Sequence, residues 1–182
     1  IISSRYIEGG GVYITGSGTN TLSNCSITGN TLSAASTTVN AYAYGGGVYI
    51  ESSGTNTLEN CSITGNKISS TSTSASTSSD ANGGGVYLNN GTNTLSNCSI
   101  TGNTVSASST NSAYAAAYGG GVRIYSGTST LTNCSITGNT ASASASEAYA
   151  YGGGAYIESS GTNKLLGTMN ITGNTAKEGS TS

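Results

Sequence analysis

The chain has 182 residues, 34% of them hydrophobic and only 7% charged, with a net charge of -2. It contains no Phe, Trp, Pro or His, so an ordinary globular core is hard to assemble, and it offers no basic footprint for nucleic acid or anionic lipid. Disordered chains usually carry high net charge, whereas here uncharged Ser, Thr, Asn and Gly dominate, a composition suited to stacked strands with polar outer faces.

No apolar run reaches the about 18 residues of a membrane helix, so membrane insertion is not expected. The opening residues 1–8, IISSRYIE, lack the basic and apolar regions of a signal peptide and read as the tail of a linker segment. The chain therefore reads as a processed subunit or an excerpt of a longer repeat protein. A Gly-Gly-Gly triplet follows at Gly9, and others begin at Gly45, Gly83, Gly119 and Gly152, at intervals of 36, 38, 36 and 33 residues. Self-similarity at such a period marks a solenoid. Repeat cores of 22 to 24 residues cover 9–31, 45–67, 83–104, 119–140 and 152–175. Variable Ser/Ala/Thr/Tyr segments of 11 to 15 residues separate them, and the whole is read as one β-helix domain, 1–182.

Within each core the first predicted strand is GVYI. Val12, Val48, Val86, Val122 and Ala155 form one column, and Ile14, Ile50, Leu88, Ile124 and Ile157 another, at the period-2 spacing of a strand. A GTN turn leads to a short TL strand with a column of Leu22, Leu58, Leu95, Leu131 and Leu166. The CSIT strand follows, with Ile27, Ile63, Ile100, Ile136 and Ile171 pointing inward. Leu22 and Ile27 lie five apart, so a bend must separate them, and Asn24, Asn60, Asn97 and Asn133 occupy that place. Asn tolerates the left-handed conformation, and these four side chains are expected to stack as an amide ladder. The five in-register glycine triplets are read as backbone geometry, since a phosphate cradle needs a strand-to-helix context with Lys. The predicted architecture is all-β: a right-handed parallel β-helix of about five coils and three faces, with a long variable segment inserted per coil. Those segments are expected outside the coil, stacked along one side. Coils would repeat every ~4.8 Å.

GGGV at Gly45 to Val48 and IxxN at Ile63 to Asn66 resemble the paired GGA(I/V/L) and FxxN motifs of right-handed β-helix surface proteins, notably the passenger repeats of polymorphic outer-membrane autotransporters. The resemblance covers the five cores and implies an extracellular adhesive or structural shaft.

Several columns are candidate sites. Tyr13, Tyr49, Tyr87 and Tyr156, interrupted by Arg123, are expected as an exposed row, and further tyrosines end the variable segments at Tyr44, Tyr118 and Tyr151. Exposed aromatic rows make contacts, here with a neighbouring subunit, a sugar surface or the chain's own variable segment. Outward Ser26 and Thr28, Ser62 and Thr64, Ser99 and Thr101, Ser135 and Thr137, then Asn170 and Thr172, resemble the Thr-x-Thr faces of β-helical ice-binding proteins. Cys25, Cys61, Cys98 and Cys134 share a column whose fifth place is Met169. Parallel stacking sets them ~4.8 Å apart where a disulfide wants Cβ atoms ~3.8 Å apart, so buried free thiols are expected; without His, no cysteine is primed as a nucleophile. Glu51 and Glu158 share a column but stand three coils apart, ~14 Å, too far for a carboxylate pair, and Glu8, Glu59, Asp80, Glu147 and Glu178 are read as scattered, solvated side chains. No metal or cofactor is implied, because neither a CxxC spacing nor an aspartate ladder is present. Asn24, Asn60, Asn97, Asn133, Asn170 and Asn90 begin N-x-S/T sequons, with Asn90 the best acceptor, and the Ser69 to Ser79 segment is rich enough in Ser and Thr for O-glycans.

The leading expectation is a non-enzymatic extracellular or cell-surface structural protein, a shaft, adhesin repeat or filament subunit. Its partner would be itself, head to tail, or further repeats of the same chain, with glycans as possible ligands. Residues 176–182, AKEGSTS, look like the start of another variable segment, so the two ends joined would make one linker of the usual length. Ice binding is the alternative, and a carbohydrate-active enzyme the third.

Overall fold

The computed structural model describes residues 4–74, 77–110 and 114–180, and the ends of the proposed head-to-tail linker, 1–3 and 181–182, lie outside them. So do 75–76 and 111–113, within two of the variable segments. Every described element is a strand, and the strands form five parallel sheets of five, each drawing one strand from every repeat. This is the predicted parallel β-helix.

The second repeat shows the coil. Val48–Ser52 belongs to a VYI sheet, Thr55–Glu59 to a threonine sheet and Ser62–Thr64 to an SIT sheet. Two further strands then follow where the sequence suggested an appendage: Lys67–Ser72 runs outward and Ser79–Asn82 runs back. The coil therefore has five strands and not three. The variable segments do stack on one another along one side, but as two regular sheets that form an arm continuous with the coil.

Two cores result. Val48, Ile50, Leu58, Cys61 and Ile63 with their equivalents fill the main coil. The arm encloses a thin layer made largely of alanine, including Ala34, Ala41, Ala43, Ala107, Ala115, Ala117, Ala141 and Ala143. Serine substitutes inside the arm by hydrogen bonding: Ser70 Oγ donates to the Ala41 carbonyl at 2.7 Å, and Ser79 Oγ to Ser70 Oγ at 2.9 Å. Alternation of inward Leu32 and Ala34 with outward Thr31 and Ser33 is a strand pattern, but methyl groups carry too little hydrophobic contrast to announce it.

Glycine turns the corner between arm and coil. Gly45 has φ +69°, a left-handed conformation that suits Gly. At Gly47 a Cβ would stand 2.6 Å from the Gly85 carbonyl oxygen and 2.9 Å from Asn66 Nδ2. The triplets are thus required by the bend and by the close approach of successive coils.

The asparagine bend is present, with φ between 52° and 55° at Asn24, Asn60, Asn97 and Asn133. The amide ladder, however, is not there. All four side chains are exposed, and Asn24 Nδ2 donates only to the adjacent Ser23 Oγ. The ladders are built from two other columns. Asn20, Asn56 and Asn93 are linked by Nδ2 to Oδ1 bonds of 2.9 and 3.0 Å. Asn30, Asn66, Asn103, Asn139 and Asn174 form a longer one, each Nδ2 donating to the next Oδ1 at 2.9 to 3.0 Å. The physical reason is side-chain direction: a left-handed residue at an outer corner points its amide to solvent, whereas Asn56 lies two before inward Leu58 and shares its face.

The fifth coil departs from the alignment. Leu165, not Leu166, pairs with Leu131, and Thr132 pairs with Leu166. Gly167, φ +67°, takes the place of the bend asparagine, and one extra residue precedes Met169. Met169 still packs against the core beside the cysteine column.

Candidate functional site

The glycine corner folds the returning arm sheet toward the VYI sheet, so outward side chains of the two sheets face each other along a groove parallel to the helix axis. From the arm come the columns Tyr6, Tyr42, Asp80, Ala116, Tyr149 and Glu8, Tyr44, Asn82, Tyr118, Tyr151. From the VYI sheet comes Tyr13, Tyr49, Tyr87, Arg123, Tyr156. Glu51 and Glu158 stand on its outer margin, two residues beyond the Tyr49 and Tyr156 places in their own coils.

Tyr49 and Tyr87, expected in an exposed row, are only 3% and 4% exposed, while Tyr13 at the first coil is 44% exposed. Their cover is the chain's own variable segment. Tyr44 stacks on Tyr49 and Tyr87 with ring centroids 6.1 and 5.6 Å apart, and Tyr49 stacks on Tyr87 at 5.0 Å. At the other end Tyr118, Tyr151 and Tyr156 form a similar group at 5.3 to 5.5 Å. Such offset pairs stabilise beyond their buried area by about 0.5 to 1.5 kcal/mol each.

The aromatic lining breaks at the third and fourth coils, where Asp80, Asn82, Ala116 and Arg123 replace rings. Arg123 is nearly buried and fills part of the break: its Nη2 bonds to Glu158 Oε2 at 2.8 Å and its Nη1 to Asn82 Oδ1. Its guanidinium carbon lies 4.1 Å from the centre of the Tyr118 ring and 5.2 to 5.6 Å from those of Tyr125, Tyr87 and Tyr156. Beside it a space of about 350 Å³ remains, walled by Tyr6, Tyr44, Tyr49, Tyr87 and the acidic residues Glu8, Glu51 and Asp80.

Four of the seven acidic residues, Glu8, Glu51, Asp80 and Glu158, are therefore gathered around one groove, which corrects the reading of Glu8 and Asp80 as scattered. Tyr13 Oη donates to Glu51 Oε2 at 2.9 Å. Burial pushes Asp80 up to about 6, although the Arg123 charge works the other way. Glu8 is raised by burial and by the Glu51 carboxylate, and Tyr13 is pushed up to about 12 by burial and its bond to Glu51. Asp80 Oδ1 and Arg123 Nε are buried without a hydrogen-bond partner. The overlooked signal was positional: Tyr44 and Tyr118 immediately precede a triplet whose bend sets them against Tyr49, Tyr87 and Arg123.

The remaining candidates lie elsewhere. Cys25, Cys61, Cys98 and Cys134 are free thiols stacked in the main core, Cys25 half-buried and the others buried. Sγ of Cys61 donates to the Glu59 carbonyl at 3.3 Å and to the Leu22 carbonyl at 3.4 Å, and Cys98 and Cys134 repeat this. Burial pushes the Cys61 thiol up. Thr28, Thr64, Thr101, Thr137 and Thr172 line the outer SIT face, where neighbouring hydroxyls engage one another: Ser99 with Thr101 at 3.2 Å and Thr101 with Thr137 at 3.3 Å. A second hydroxyl face lies on the threonine sheet, with Thr19, Thr55, Thr92, Thr128 and Thr21, Thr57, Thr94, Thr130 in two in-register columns. Exposed Asn90, φ +78°, lies in a turn against Ser126. Among the described residues no three or more Cys, Asp or Glu side chains are placed so that they could hold one metal ion, and no helix is long and apolar enough to cross a membrane.

A family model described as a right-handed β-helix region matches residues 1–180. No curated protein and no solved structure matches the chain.

Proposed function

We propose that this chain, which belongs to the right-handed β-helix family, serves as a non-enzymatic structural segment of an extracellular or cell-surface shaft, filament or adhesin. In this reading other coils of the same repeat stack on both of its end faces. The observation that carries it is the state of the end coils. In the middle coils Ile50, Leu95, Ile100 and their neighbours are fully buried, whereas Ile157, Leu165 and Ile171 of the last coil are 39% to 44% exposed. The first coil likewise leaves Val12, Ile14, Leu22 and Cys25 half-covered. Both faces present main-core columns that meet at the internal junctions, together with an unpaired edge in each of five sheets. Such an edge is a template for another strand, and a head-to-tail contact that does not close extends as a fibre.

The test is sedimentation and electron microscopy of the 182-residue chain. Concentration-dependent axial oligomers are expected, and Ile171→Lys with Leu165→Glu should abolish them. A wild-type chain that stays monomeric at every concentration would refute the reading.

The paired threonine columns favour a second reading, ice binding, now on the threonine sheet and not only the SIT face. Freezing-point hysteresis that disappears in Thr94→Tyr would support it, and its absence in the wild type would remove it.

A further inference from the structure

The groove shows on its own residues how it receives a cation. Arg123 lies among four tyrosine rings, with Glu158 on one amino group and Asn82 on the other. Guanidinium groups are held over aromatic faces by the ring quadrupole, more strongly where water is excluded. The repeat reproduces the elements of this cage toward the first coil. Tyr44 stands in the column of Tyr118, Tyr13 and Tyr87 flank Tyr49 as Tyr87 and Tyr156 flank Arg123, and Glu8 shares the column of Asn82. Glu51 follows Tyr49 by two residues as Tyr125 follows Arg123. At this end Tyr49 holds the place of Arg123, between Tyr13 and Tyr87, and the open space lies beside that ring stack. This space of about 350 Å³ is bordered by three carboxylates, and Arg123, already engaged with Glu158, is the one cationic residue in its lining.

We propose that the open reach of the groove, among Tyr6, Tyr44 and Tyr49 and bordered by Glu8, Glu51 and Asp80, is a receptor for a guanidinium group presented by an arginine side chain of a partner protein. The charge balance selects this chemistry. Four carboxylates line or flank the groove against one guanidinium, an excess that repels anionic ligands and that a neutral sugar leaves uncompensated. Asp80 belongs to the wall of the space and its Oδ1 is buried without a hydrogen-bond partner, and leaving such a group unpaired is costly. The exposed ring of Tyr6, at the edge of the stack, supplies a flat face against which a planar guanidinium packs.

The experiment titrates the full chain with the peptide acetyl-Gly-Gly-Arg-Gly-Gly-amide, and in parallel with the peptide carrying citrulline, which keeps the shape of arginine and removes its charge. Calorimetry and near-ultraviolet circular dichroism of the tyrosines provide two readouts. Saturable binding of one arginine peptide per chain is expected, with a change in the tyrosine signal and affinity at least about tenfold weaker for citrulline. Glu51→Gln and Glu8→Gln, both partly exposed and remote from either core, should each weaken arginine binding several-fold while leaving far-ultraviolet spectra unchanged. Equal binding of the citrulline peptide, no saturation by about 1 mM, unchanged affinity in both glutamine variants, or displacement of the peptide by a neutral oligosaccharide would each overturn the assignment.

Discussion

Replacing Asn103 by alanine tests where the asparagine ladder runs. Its Nδ2 donates to the Ile63 carbonyl at 2.9 Å and to Asn139 Oδ1 at 3.0 Å, and its Oδ1 accepts from the backbone N of Asn66 at 2.9 Å and from Asn66 Nδ2 at 3.0 Å. All of this is fully buried. Asn103→Ala removes these four bonds at about 1 kcal/mol each and strands the Asn66 N–H, so the loss should be about 4 to 6 kcal/mol. Asn97 makes the contrast. It lies in the same coil with φ +53° and an exposed side chain, so Asn97→Gly should change stability by less than about 1 kcal/mol, since glycine adopts that conformation freely. Urea unfolding followed by far-ultraviolet circular dichroism measures both. A cost for Asn97→Gly equal to that for Asn103→Ala would mean that the ladder had been put in the wrong column.

Asp80→Asn should stabilise the protein at neutral pH. The folded state holds this proton up to about 6 whereas the ordinary value is 3.8, so stability falls as pH rises from about 4 to about 6. At about 1.4 kcal/mol per pKa unit the penalty is about 3 kcal/mol above that window and vanishes below it. The neighbouring carboxylates Glu8 and Glu51 are common to both proteins, so the difference between wild-type and variant unfolding curves at pH 3 and pH 8 isolates Asp80; equal effects at both would refute the argument. In the thiol column, Cys25 should react with a chromogenic disulfide reagent in the native state while Cys61, Cys98 and Cys134 wait for unfolding, because only Cys25 is more than marginally exposed. Four equal rates would contradict the burial. Gly47→Ala should impair folding, since its methyl would meet the Gly85 carbonyl and the Asn66 amide.

The main coil was legible because its inward residues are large and alternate. Val48 and Ile50, then Leu58 and Ile63, recur at fixed offsets, and the bend between the last two had a residue type suited to it. The arm was hidden by chemistry: Ala34, Ala41 and Ala43 alternate just as strictly, but alanine and serine differ too little in hydrophobicity to mark a face. Residue type does not distinguish the asparagine columns, because each of the first three repeats carries three of them; the offset of two from Asn56 to Leu58 carries the answer. The groove required knowing the sense in which the glycine corner folds. Without it, Tyr44 and Tyr49 are two outward residues on different strands, and Glu8, Glu51 and Asp80 are far apart in sequence.

The alanine-lined arm also changes how the molecule would carry load. Backbone hydrogen bonds between coils run along the helix axis, so an axial pull is shared by all five ladders at once and no single sheet unzips alone. A plain three-faced coil is a rod that bends with similar ease in every direction. Adding a thin two-sheet flange moves material away from the neutral axis, and bending stiffness grows with the square of that distance. The body becomes an angle girder, stiffest in the plane of the flange, and the small side chains inside the flange gain this depth with little extra mass.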